Sequence, residues 1–157
     1  VISIPAEVVT SYYAKDITVI GRDFVLVLNP NAFKTETMLA NSNNKSAGVR
    51  FRMYPATNNP NLEKGQTALS TGYVLEAYQY VGKSNTAMEH LNSSILLNLD
   101  YDGNLSSLRR LNYVSFSRYD YYNKQWRTIK QTHDNIQMAI GDYIDRLGQY
   151  MVIGSKR

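Results

Sequence analysis

Residues 94–101 read SILLNLDY, and Asp102-Gly103 follows directly. Ile95, Leu97 and Leu99 recur at every second position, the spacing that lines up side chains on one side of a pleated strand. Asp-Gly then supplies turn chemistry that tolerates positive φ. Working outward, residues 23–28 read DFVLVL and are bounded by Asn29-Pro30-Asn31. A continuous apolar run of this length fits a strand buried on both faces. Residues 47–54 read AGVRFRMY. There Val49, Phe51 and Met53 alternate with Arg50, Arg52 and Tyr54, which predicts a half-buried strand with its arginines in water.

The remaining strand-length runs are Val8–Tyr13, Asp16–Ile20, Gly72–Val81, Leu111–Tyr119, Gln125–Lys130, Asn135–Ile140 and Gln149–Ile153. Gly72–Val81 alternates loosely, with Val74, Ala77, Tyr78 and Tyr80 as its apolar candidates; in QWRTIK, Trp126 and Ile129 are expected to point inward. Residues 57–71 and 82–93 are polar and turn-rich and read as loops. One helical turn is expected near Asn104–Arg110. About nine short strands predict an all-β, mostly antiparallel sandwich of two sheets, eight or nine strands in all. Its dry interior is expected to gather Phe24–Leu28, Ile95–Leu99, Trp126 and Tyr150–Val152.

The 157 residues fit one domain, 1–157, with residues 1–15 as a lead-in or first strand. The 43% hydrophobic and 19% charged content is too apolar for disorder. No run approaches the ~18 apolar residues needed for a helical membrane span. With no cysteine, disulfides and thiolate metal sites are excluded. The net charge of +4 is scattered apart from Arg109-Arg110 and Lys156-Arg157, so no nucleic-acid partner is expected. Tyrosine is over-used, at 13 residues against four Phe and one Trp. It suits strands and positions with one apolar and one wet side.

Three passages carry a resemblance to a known superfamily: VLVLNPNAFKTETM (25–38), SILLNLDYDG (94–103) and VSFSRYDYYNKQWRTIKQTHDNIQMAIGDYIDRLGQYMVIG (114–154). Their order resembles the β-sandwich domain shared by ankyrins, tight-junction scaffolds, netrin receptors and the GAIN domain of adhesion receptors, with related modules in bacterial and archaeal surface proteins. In the self-cleaving members, His-Leu/Phe-Ser/Thr precedes the last strand, and the hydroxyl attacks the preceding carbonyl. The matching stretch here is Arg146-Leu147-Gly148, which lacks both the base and the nucleophile. The resemblance therefore implies a non-cleaving member.

Other constellations are sparse. Asp100, Asp102 and Asn104 alternate like a calcium loop, but position 12 of that loop would be Leu111 instead of Glu. His90 and His133 have no HxxxH or HxH partner, and no G-x-S-x-G elbow is present. No spacing selects a catalytic pair from Glu7, Glu36, Glu63, Glu76, Glu89 and the aspartates. Asn44, Asn92 and Asn104 begin N-x-S/T sequons. Tyr119, Tyr121, Tyr122 and Trp126 cluster around one hairpin, and Tyr12-Tyr13 form a second aromatic pair.

The expectation is a non-catalytic structural or adhesive module of a larger extracellular or cell-surface protein, acting as spacer, scaffold or protein contact. Neighbouring modules or other copies of the protein are its expected partners, and no cofactor is expected unless calcium binds at Asp100, Asp102 and Asn104. A carbohydrate-binding module using exposed tyrosines (Tyr119, Tyr121, Tyr122, Tyr12, Tyr13) is the first alternative. It predicts coplanar exposed rings. A small hydrolase using a carboxylate pair is the second.

Overall fold

The computed structural model describes residues 1–101, 113–133 and 138–156. The first elements are β1 (Ile2–Pro5), α1 (Ala6–Val9), β2 (Ile17–Ile20), β3 (Phe24–Leu28), a 3-10 turn (Pro30–Phe33) and α2 (Glu36–Ala40). β4 (Ala47–Pro55), β5 (Gln66–Ala68), β6 (Tyr73–Val81), β7 (Ser84–Met88) and β8 (His90–Asp100) follow. The last are β9 (Tyr113–Asp120), β10 (Gln125–Thr132), β11 (Ala139–Arg146) and β12 (Gly148–Ser155).

These strands form two antiparallel sheets, not a closed barrel. The larger runs β1-β4-β6-β12-β9-β10, with β5 added on β12 and β7 on β6; the smaller runs β11-β8-β3-β2. The all-β sandwich expected from the sequence is what the chain forms, although the described residues hold twelve strands where eight or nine were expected.

The core lies between the sheets and follows period-two burial. Leu26 and Leu28 of β3, Ile95, Leu97 and Leu99 of β8, and Ile140 and Ile144 of β11 come from the smaller sheet. Val49 and Phe51, Leu75 and Ala77, Val114 and Phe116, and Tyr150 and Val152 come from the larger. Ring contacts knit this interior: Phe116 stacks on Tyr150 at 5.5 Å, and Phe24 meets Tyr73 edge-on across the sheets at 5.2 Å. Phe24–Leu28, Ile95–Leu99 and Tyr150–Val152 thus supply one common interior, as their spacing predicts.

Several expectations need correction. Val8–Tyr13 is not a strand: Ile2–Pro5 is, and the chain then makes the single turn α1. Pro5 has a fixed φ and no N–H to lose, so it can precede a helix start, and Ala6 and Val9, three apart, both turn inward. The loop 57–71 contains β5, and the polar stretch 82–93 contains β7 and the start of β8. β7 (SNTAM) carries no apolar alternation; it exists because Gly82, at φ +59, closes a hairpin back onto β6. In β6 the side chains that face the core are Tyr73, Leu75 and Ala77; of the four apolar candidates only Ala77 is among them, while Val74, Tyr78 and Tyr80 lie half-buried on the other side. β3 buries Leu26 and Leu28 but only half covers Val25 and Val27, so it is not buried on both faces. Asn104–Arg110, where a helical turn was expected, lies outside the described residues, as do residues 135–137 of the expected strand Asn135–Ile140.

β11 and β12 are joined by Leu147 alone, yet they belong to different sheets. Gly148 stands at φ +145, a backbone conformation open to glycine, and it turns the chain from one sheet to the other.

Candidate functional site

β4 and β6 pair with Arg52 opposite Glu76, Arg50 opposite Tyr78 and Tyr54 opposite Val74. With Phe51 and Leu75 committed to the core, alternation turns Arg50, Arg52, Tyr54, Glu76, Tyr78 and Tyr80 to the outer face of the larger sheet. Glu76 is the centre of this face. The Arg52 guanidinium reaches Glu76 Oε2 through Nε and Nη2, each at 2.6 Å. The Tyr54 hydroxyl donates to Glu76 Oε1 at 2.6 Å, and the Tyr78 hydroxyl to Oε2 at 3.4 Å. Burial works to raise the Glu76 carboxyl, but hydrogen bonds from Tyr54 and Arg52 outweigh it and hold the group below its ordinary range. The same bond to Glu76, followed by burial, raises the Tyr54 hydroxyl.

Two of the rings are already occupied. The Arg50 guanidinium lies over Tyr80, 4.6 Å from its centroid, and Arg52 over Tyr54 at 5.0 Å. Tyr80 in turn lies over Gly48, where a Cβ would come within 2.7 Å of the tyrosine oxygen.

Beside this strip, β6 changes partners. Tyr73–Leu75 pair with β12, and Ala77–Val81 pair with β7. The gap between the two partners is a cleft of about 210 Å³ lined by Glu76, Tyr78, Met88, Glu89, Tyr121 and Leu147. Tyr121, 61% exposed, comes from the β9–β10 turn, and its hydroxyl reaches Gln149 Oε1 at 3.4 Å.

The hairpin aromatics divide into two groups, and Tyr12-Tyr13 stand apart from them. Tyr119 is buried and meets Tyr121 edge-on at 4.8 Å and Trp126 at 5.3 Å. Trp126 Nε1 donates to the Pro60 carbonyl at 2.7 Å, and Asn61 Nδ2 to the Tyr119 hydroxyl at 3.0 Å. With Gln149 Nε2 donating to the Asn58 carbonyl, these bonds tie the segment after β4 down over the outer face of β12, β9 and β10. Trp126 is therefore not a core anchor. It pairs with Tyr119, which shares the parity of Ser115 and Ser117 and opposes the core-facing Val114 and Phe116. Ile129 sits at a bulge and is exposed as well. Tyr119, expected as a binding ring, is instead a buried support. Tyr122 stands out at the turn, 93% exposed, held there by Asp120, which accepts the Tyr122 and Asn123 backbone N–H groups and the Arg127 Nε. Tyr12 and Tyr13, on the segment after α1, cross at 84° and make no flat platform.

The other expected sites are quickly placed. Asp100 is exposed at the end of β8; Asp102 and Asn104 lie outside the described residues. Among the described residues no group of three or more His, Asp or Glu side chains comes together to hold a metal. Arg146-Leu147-Gly148 forms the crossing between the sheets. The Arg146 carbonyl accepts the Tyr150 hydroxyl, and the Leu147 N–H donates to the Glu89 carbonyl at 2.9 Å.

The Arg52–Glu76–Tyr54 network escaped the sequence reading. The outward arginines were visible in the alternation of AGVRFRMY; the missing piece was the register that sets Glu76 beside them. No protein-family model matches the chain, and no curated protein sequence matches it. Among the described residues no helix is long and apolar enough to cross a membrane.

Proposed function

We propose that this chain is a non-catalytic protein-contact module of an extracellular or cell-surface protein, and that the outer face of β4 and β6 is its contact surface. The observation that carries this reading is the Tyr54–Arg52–Glu76–Tyr78 network flanked by Arg50 on Tyr80. Tyrosine and arginine are the residues that protein interfaces concentrate, and rings already fixed by guanidinium groups lose little freedom on binding. The same capping disfavours a sugar platform, because the faces of Tyr54 and Tyr80 that would stack on a sugar ring are covered by Arg52 and Arg50. Glu76 and Glu89 line one cleft, but Glu76 is held ionised, the opposite of what a general acid requires. The resemblance to non-cleaving surface modules points the same way, and Gly148 offers no hydroxyl for self-cleavage.

The test uses a photo-crosslinking amino acid at position 78 of the parent protein on its own cells, with position 130 on β10 as control. A protein adduct is expected at 78 and not at 130, and excess wild-type chain should suppress it while Arg52→Ala/Tyr78→Ala chain does not. Binding on a glycan array that is lost on Tyr121→Ala or Tyr122→Ala would replace this reading with carbohydrate recognition. A fragment cut between Leu147 and Gly148 would refute the non-cleaving assignment.

A further inference from the structure

Among the described residues six strands are paired on one side only: β1 and β10 at the ends of the larger sheet, β5 and β7 beside its path, and β11 and β2 at the ends of the smaller. β5 (QTA) and β7 (SNTAM) are polar, and β1, β10 and β11 carry devices that block further pairing. β10 has Arg127, Lys130 and a bulge between Thr128 and Lys130. β11 has Asp142, Asp145 and a bulge between Ile144 and Arg146. β1 closes on Pro5, which has no N–H to donate. β2, the sequence ITVI, has no charge, no proline and no bulge, and its Ile20 is 77% exposed.

The hydrogen-bond phase of β2 shows which of its groups are free. The Gly21 N–H donates to the Phe24 carbonyl at 2.9 Å. In the register Ile17↔Leu28 to Ile20↔Val25, antiparallel alternation then commits the backbone groups of Val19 and Ile17 to β3. Thr18 and Ile20 turn theirs to the open side, where no described strand lies.

We propose that β2 pairs antiparallel with β2 of a second copy of this chain, on a two-fold axis at Val19, joining the two smaller sheets into one. This register sets Thr18 opposite Ile20 of the second copy, and all of the backbone groups so brought together are free. It forms roughly four backbone hydrogen bonds across the axis. A register moved by one residue would set free groups against committed ones. Charge selects among the rest: about Val19, Asp16 faces Arg22 of the second copy, and Lys15 faces Asp23. Lys15, Asp16 and Arg22 are exposed, so their signs are available to a neighbour. On the inner side, a second Val19 is brought to the mouth of an apolar crevice of about 90 Å³ between the sheet edges, lined by Ile2, Val19, Phe24, Phe51 and Met53. This pairing lies on the smaller sheet and does not rest on the contact role assigned to the larger one.

The interface is small, so association is expected near the weak end of the protein–protein range, in solutions up to about 1 mM. Sedimentation equilibrium of the wild-type chain should show a monomer–dimer equilibrium that weakens with salt. Asp16→Lys alone and Arg22→Asp alone each place like charges across the axis and should weaken association by about tenfold. The double variant D16K/R22D, and an equimolar mixture of the two single variants, restore opposite signs and should recover it. A wild-type chain that stays monomeric at about 1 mM overturns the proposal. So do single variants that associate as well as wild type, or a mixture and double variant that fail to recover.

Discussion

At Tyr73 the ring sits in the core edge-on to Phe24 while the hydroxyl donates to Asp23, which also accepts the Thr71 hydroxyl. Burial, and then the bond to Asp23, push the Tyr73 hydroxyl up to about 12. The unfolded chain releases that proton near pH 10. A raised folded value means the stabilisation is fully present below about pH 10 and is lost as pH climbs toward 12. Urea unfolding between pH 9 and 12 should therefore show falling stability, and Tyr73→Phe should flatten the part of that slope which this hydroxyl contributes. A slope unchanged in the variant would assign the loss to other groups, with the buried Tyr150 hydroxyl, also pushed up by burial, the next to examine. At this scale the sequence was legible where one strand decides the outcome. Arg50 and Arg52 face water because Val49 and Phe51 do not. It was not legible where two strands decide, since the partners of Glu76 depend on a pairing between residues 24 positions apart.

Among the elements, the join between β11 and β12 depends most on one residue type. A Cβ on Gly148 would meet nothing within 4 Å, so Gly148→Ala tests backbone conformation alone and should cost about 1–3 kcal/mol, read from denaturant unfolding. Gly141 is the contrasting case. A Cβ there would lie 1.9 Å from the Leu97 carbonyl oxygen, so Gly141→Ala must displace β11 from β8 and should cost more. Equal losses at the two sites would contradict this account. Elements rich in apolar alternation, β3, β4, β8 and β12, were readable from their own residues. β1, β5 and β7 were not: they have four, three and five residues and owe their existence to the strands they pair with. Trp126 shows the same limit. Its size favours burial, and it is covered, but by Pro60 and Tyr119 on the far side of the sheet, because the β9–β10 register gives it the parity of Tyr119.

For the whole molecule, the two sheets share one interior, and Leu97 sits in it fully buried. Leu97→Ala should cost about 2–5 kcal/mol, the loss of buried methyl groups plus the void they leave. Tyr122→Ala, at the tip of the hairpin, should stay within about 0.5 kcal/mol of wild type. Chemical denaturation of both variants checks the contrast, and a Leu97 variant as stable as the Tyr122 variant would mean the interior is not continuous. The sandwich class was open to sequence reading because it needs only the period of burial. The assignment of consecutive strands to opposite sheets was not, since the crossing from β11 to β12 is one residue long and turns at Gly148, which has no side chain to signal it.

That position of β12 has a mechanical consequence. The strand is laced along one side to β9 and along the other to β6 and then β5. A tensile load entering at Ser155 and directed along the strand would meet these ladders in shear, straining many bonds together instead of parting them one by one. The molecule would resist traction at that end as a rivet does, not as a zipper.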